Sequence, residues 1–269
     1  MKRPLITLTT DFGLGDNYVG AVKGAILSIC PDAEIVDITH QVGPQDVAHG
    51  VYLTSTSWPY FPEGAIHVAV VDPGVGTDRR AILLANNKAT FIGPDNGVLS
   101  AALPRRARPR SAGPVALPDD YRAFELTNDR YYRATPSHTF HARDIFGPVA
   151  AHVARGVSLE DTGEPIFEVF ALPLTTASQE GNLIRGCVQH VDTFGNLVSD
   201  IPLQMFEGRD LAVEIGDRTI KGLGRTYGEQ HDLFALVTSD GWLAVALPNG
   251  SAEVELSASR GDPVMVRLG

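Results

Sequence analysis

The chain has 269 residues, 43% hydrophobic and 20% charged; at roughly 150 residues per domain this is material for two packed domains. Thirty-two acidic residues against 22 basic ones leave a formal charge of −10, which argues against nucleic acid as a partner because phosphate binding needs a basic face. No apolar run approaches the roughly 18 residues of a membrane span, so no membrane partner is expected. Two distant cysteines, Cys30 and Cys187, suit neither a disulfide framework nor a Cys-based zinc site and read as small buried hydrophobes of a cytoplasmic chain.

In chain order, Met1-Lys2-Arg3-Pro4 leads into an apolar run too short for a signal sequence, which predicts a strand over 4–10 ending at Asp11-Phe12-Gly13. Tyr18, Val19, Val22, Ile26 and Ile29 recur at helical spacing and predict a helix over 16–29. A short strand over 33–38 and a helix over 45–57 follow. The β-branched run Ala65–Val71 breaks at Asp72-Pro73-Gly74, and further strands are expected at 81–85 and 89–92. Nearly continuous apolar strands alternating with helices predict a mostly parallel sheet covered on both faces. Residues 104–120, with four prolines and four arginines but no periodicity, read as a solvated loop, although a basic run can also bind an anionic partner. A helix is expected over 144–154 with Asp144 as its N-cap.

From Gly181 the character changes to short strands at 183–191, 211–215, 233–237, 242–246, 253–257 and 264–267, the pattern of a small antiparallel barrel or sandwich. The expected division is an α/β domain over 1–172 and an all-β barrel domain over 181–269.

Four polar clusters fall at or just beyond apolar runs, where open parallel sheets bind ligands. Asp11, beside glycines at the end of the first strand, suits a ribose diol or, equally, a cap or turn. Asp72 and Arg79 flank a glycine-rich loop that lacks the Lys-Ser/Thr ending of a phosphate loop, and they read as a facing pair. His138, His141 and Asp144 could be metal ligands, but their spacing of three and three is not that of helical zinc sites. Asp192-Thr-Phe-Gly-Asn196 reads first as a tight turn, and also as a carboxylate, an aromatic face and an amide suited to an amino group and a heteroaromatic base.

Five collinear blocks carry a resemblance: Thr9-Thr-Asp-Phe-Gly13, Tyr18-Val-Gly-Ala-Val-Lys-Gly24, Val71-Asp-Pro-Gly-Val-Gly-Thr77 with Arg79, Thr139-Phe-His-Ala-Arg-Asp144, and Asp192-Thr-Phe-Gly-Asn196. Together the chain resembles the S-adenosyl-L-methionine (SAM) hydroxide adenosyltransferases, or SAM hydrolases, relatives of the bacterial fluorinase and chlorinase. The resemblance implies hydrolysis of SAM to adenosine and L-methionine at the ribose C5′, without metal or cofactor. It also implies a homotrimer with active sites at subunit interfaces. By position, Asp72, Arg79 and His141 match the set that holds the nucleophilic water; Asp72 and His141 would orient it and accept its proton, His141 being favoured by its ordinary pKa near neutral pH, and which of the two takes the proton stays open. Asp11 matches the ribose acid; Asp16, Asp192 and Ser239 fall at the methionine end; Phe194 and Asn196 match adenine contacts, with Tyr227 as a stacking partner. Asp72 and His141 separate this chain from the halogenases, since a carboxylate would repel a halide. Three departures stand out: Ala142 where the family has glycine, with a methyl that would narrow the water site; the arginine-rich loop 104–114; and Leu243–Ser251, which matches only loosely. A SAM or adenosine sensor without turnover and a metal-dependent hydrolase using Asp72, His138 and His141 remain as alternatives.

Overall fold

A computed structural model describes residues 3–269; Met1 and Lys2, read above as the lead into the first strand, lie outside the described residues. The chain folds as two compact units, Met1–Leu174 and Thr175–Gly269.

The first unit runs β1 (Leu5–Thr10), α1 (Tyr18–Ile29), β2 (Glu34–Thr39), α2 (Val47–Ser57), β3 (Ala65–Val70), β4 (Ala81–Ala85), β5 (Ala89–Pro94), β6 (Gly113–Ala116), β7 (Arg122–Glu125), α3 (Gly147–Ala154), β8 (Glu164–Ile166) and β9 (Glu168–Ala171). Its main sheet has the order β2-β1-β3-β5-β4-β7-β8. The ladders from β2 to β5 are parallel, as the apolar runs predict, whereas β4, β7 and β8 pair antiparallel and make the sheet mixed. Alternation along the central strands feeds two cores: Ile66, Val68 and Val70 join Val22, Ile26, Phe146 and Val149 beneath α1 and α3, while Ala69, Val71 and Phe91 join Val98 and Leu99 on the opposite face, beside α2. Because β1 lies between β2 and β3, the chain leaves β1 in one direction and returns past it in the other. The carboxyl ends of β1 and β3 therefore form a topological switch point, where such sheets open a crevice.

Two segments differ from the expectation. Residues 104–120 are not simply a solvated loop, because β6 pairs with β9 and Arg108 packs inward, donating to the Leu103 carbonyl at 3.4 Å. Burial, then the charge of Arg105, lowers the Arg108 pKa to about 10. Asp144 is no N-cap: it sits inside a π-turn over Ala142–Phe146 that runs into α3, its carboxylate fully buried against arginines.

The second unit runs β10 (Ser178–Glu180), β11 (Leu183–Val191), β12 (Leu197–Pro202), β13 (Leu211–Ile215), β14 (Arg218–Lys221), β15 (Phe234–Val237), β16 (Trp242–Ala246), α4 (Ala252–Leu256) and β17 (Pro263–Leu268). The strands pair antiparallel in the order β14-β13-β17-β11-β12-β16-β15, with β10 on β11, and the end strands β14 and β15 touch each other, so the sheet nearly closes. The strand expected at 253–257 is the helix α4: its alternating Glu253-Val254-Glu255-Leu256 mimics a strand, but Ser251 caps a helical turn by accepting from Val254 N at 3.2 Å. Cys30 is buried and Cys187 half-buried, and both are free thiols. No helix among the described residues is long and apolar enough to cross a membrane.

His67 on β3 is 1% exposed, stacked on Phe91 at 5.0 Å and bonded through Nδ1 to the Thr7 hydroxyl at 2.7 Å, while its Nε2 has no polar partner. Burial lowers its pKa from 6.5 to about 4. Between those pH values the unfolded chain takes up a proton that the folded chain refuses, so stability falls on acidification through that window. Denaturant titrations at pH 7 and pH 4 should show His67 accounting for a loss of about 3 kcal/mol, and His67→Gln should lack that share. Equal acid losses in both proteins would remove His67 as the cause.

Candidate active site

Asp72 follows β3 directly, at the switch point, and Arg79 enters β4 from the same end. Gly76 makes their loop possible: it adopts φ +80°, and a Cβ there would lie 2.4 Å from the His138 carbonyl oxygen. Only glycine lets this loop press on the segment that leads to His141. Arg79 then grips Asp72 bidentately, Nε to Oδ1 at 2.9 Å and Nη2 to Oδ2 at 2.5 Å, and Nη2 also lies 2.7 Å from His141 Nδ1. Its guanidinium carbon sits 5.4 Å above the Phe146 ring. The side chains of Arg79 and Asp72 are almost buried, so the pair operates largely out of water.

A guanidinium can only donate, so His141 Nδ1 accepts and the neutral ring carries its proton on Nε2. Burial first, then the Arg79 charge, hold the His141 pKa below its usual range against the opposing pull of Asp72 and Asp144. With its Nδ1 lone pair facing Arg79, His141 has Nε2–H left as a donor in this tautomer. Among the described residues, no three His, Cys, Asp or Glu side chains converge in a metal-binding arrangement.

Asp11, just beyond β1, caps no helix. Its Oδ2 accepts from Gln45 N at 2.8 Å, tying its loop to the turn before α2, where Gln45 adopts φ 62°. Thr10 anchors the same loop, accepting from Phe12 N at 3.3 Å and bonding His40 Nδ1 at 2.8 Å. Asp16 is exposed on the loop ahead of α1. Ala142 is 3% exposed and packs in the α1/α3 core. Beside these residues lies a group that the sequence reading missed: Phe12, Tyr18 and Phe140 meet edge to face, with the Arg143 guanidinium 4.9 Å over Phe140. Their positions next to Asp11 and His141 were the available signal. Asp144 neutralises Arg143 through two 2.7 Å bonds and also accepts from Ser137 N.

In the second unit, Asp192, Phe194, Asn196 and Tyr227 line one cleft of about 840 Å³, together with Leu247, Pro248, Asn249 and Gly250. The loosely matching segment 243–251 thus contributes to the cleft wall. Ser239 does not line it; it lies exposed on the turn between β15 and β16. Phe194 is 77% exposed and offers a free aromatic face, while burial, then the charge of Asp192, raises the Tyr227 pKa and keeps the phenol neutral.

The fold and these two groups define an α/β unit with a barrel-like partner, and similarity to known proteins identifies the class. Residues 6–163 match the SAM hydroxide adenosyltransferase N-terminal domain and residues 186–265 the C-terminal domain of that family. A protein from Salinispora tropica named (R)-S-adenosyl-L-methionine hydrolase is 37% identical, with 99% of this chain and 98% of the relative covered. A Nocardia brasiliensis fluorinase is more distant, at 26% identity over 100% of this chain and 98% of its own. A crystal structure of an uncharacterized conserved protein from Thermotoga maritima superposes with a TM-score of 0.83 at 34% identity, covering 97% of this chain and 99% of that one. The chain belongs to the SAM hydroxide adenosyltransferase family.

The bond between Arg79 and His141 has a direct signature. The His141 ring should titrate below pH 6.5, and Arg79→Met should raise its midpoint, because the like charge goes and the attraction of Asp72 stays. Imidazole NMR titration reads both; a midpoint unmoved by the substitution would contradict the bond.

Proposed function

We propose that this protein is a SAM hydrolase, converting SAM and water to adenosine, L-methionine and a proton. The observation that carries this reading is the Asp72–Arg79–His141 cluster at the switch point. The C5′–S bond breaks with its electron pair moving to sulfur, and a C5′–O bond forms. The sulfonium is already a good leaving group, so the work lies in the nucleophile. Asp72 accepts the hydrogen bond and then the proton of the attacking water. The His141 Nε2–H donates to the water oxygen, and Arg79 stabilises the negative charge developing there. Holding oxygen, carbon and sulfur in line contributes several kcal/mol, about the order that positioned reactants gain. Protonation of His141 would cost the Arg79 bond and set a second positive charge near a cationic substrate, so the neutral ring is the working form.

Asp11 binds the ribose hydroxyls, and Asp16 faces the methionine end. Phe194 and Tyr227 take the adenine faces, and Asn196 takes its edge. Ser239, exposed on the turn between β15 and β16 and bonded to Asp240, is assigned to the methionine end with Asp16. The reading extends to a cytoplasmic homotrimer whose sites form between copies, without metal or cofactor; light scattering of the purified protein tests the assembly.

Metal-free incubation with SAM in ¹⁸O-labelled water should give adenosine carrying ¹⁸O at C5′ and equimolar methionine, by mass spectrometry. Asp72→Asn and His141→Ala should each lower turnover at least about a hundredfold with SAM affinity nearly intact. Bound but unconverted SAM in the wild type would make the protein a sensor, and wild-type turnover in both variants would discard the mechanism.

A further inference from the structure

We infer that Asp192 is a specificity-determining residue, which locks the Asn196 amide so that the cleft takes a purine with a 6-amino group and refuses one with a 6-oxo group. The inference rests on the reading of that cleft as the adenine subsite. A carboxylate only accepts hydrogen bonds. Asp192 Oδ1 accepts from the backbone N–H groups of Phe194 and Asn196, both at 2.9 Å, and Oδ2 accepts from Asn196 Nδ2 at 2.7 Å. The last bond fixes which end of the amide is which: one of the two Nδ2–H bonds is spent on Asp192, so the acceptor end, Oδ1, cannot change places with the donor end, and a ligand meets Oδ1 with at most the second N–H beside it. Asn196 is only 7% exposed while lining the cleft, so the amide cannot escape the lock by swinging into solvent.

The turn itself is rigid. Gly195 adopts φ +78°, a Cβ on it would lie 2.0 Å from Ser251 Oγ, and its N–H bonds the Asp192 carbonyl at 3.0 Å. An acceptor held in this way pairs with the N6–H of adenine. Against the O6 of hypoxanthine or guanine it sets two lone pairs face to face, leaving both unpaired in a partly desolvated cleft. This role differs from a contact to the methionine end, because three of the carboxylate's acceptor sites are committed to its own turn.

The test compares kcat/KM for SAM with that for its deaminated, 6-oxo counterpart. The wild type should prefer SAM at least about a hundredfold. Asp192→Asn keeps an oxygen for the two backbone N–H groups but turns the other atom from acceptor to donor. The Asn196 amide must then rotate, presenting its NH₂ to the cleft. The preference should shrink at least about tenfold, with the 6-oxo substrate turned over faster than by the wild type. Asn196→Ala, which leaves the backbone bonds of the turn in place, should bring the two substrates close to parity. Equal losses for both substrates in Asp192→Asn, or an unchanged ratio in Asn196→Ala, would overturn the inference. A wild type that turns over neither substrate sinks the hydrolase reading instead; binding of adenosine and inosine to the same three proteins, by calorimetry, then still decides the lock.

Discussion

Arg79 commits its Nε and Nη2 edge to Asp72 and His141 while lying over the Phe146 ring, and this side chain fixes the orientation of both neighbours. A bare buried imidazole has no preferred tautomer, and a fixed guanidinium beside Nδ1 settles it; the same guanidinium holds both oxygens of the Asp72 carboxylate in one orientation. The fold's contribution is to bring three loops to one point. Asp72 follows β3, Arg79 precedes β4 and His141 precedes the π-turn into α3, so the cluster depends on the exit of parallel strands, a reversed strand and a distant segment together. Gly76 is where those demands meet, because its missing Cβ is the clearance between the Asp72 loop and the His138 carbonyl.

Much of this was legible in the residues. The helical spacing of Val19, Val22 and Ile26 and the β-branched run into Asp72 gave the parallel half of the sheet. The pairing of Asp72 with Arg79 followed from opposite charges across a glycine-rich loop. Illegible were the features set by tertiary packing. Nothing local tells that Arg79 reaches 62 positions onward to His141 and so takes its lone pair. Asp144 looks like a cap because an acid before an apolar periodic run usually is one, yet it is buried as the counter-ion of Arg143 and Arg133. The Glu253-Val254-Glu255 alternation has the period of a strand, and only the Ser251 bond marks it as a helix. β4, β7 and β8 turn the sheet mixed through pairings between segments far apart in sequence.

The two central aspartates are built differently, and the difference matches what each could do. Asp72 faces a guanidinium, so with His141 neutral the cluster carries no net charge and opposes neither a cationic substrate nor a developing hydroxide. Asp192 is satisfied by amide N–H groups, which orient it without cancelling its charge. On the proposed reading, a carboxylate held by its own turn selects the base through the Asn196 amide, whereas Asp72, held by a guanidinium, acts on the water.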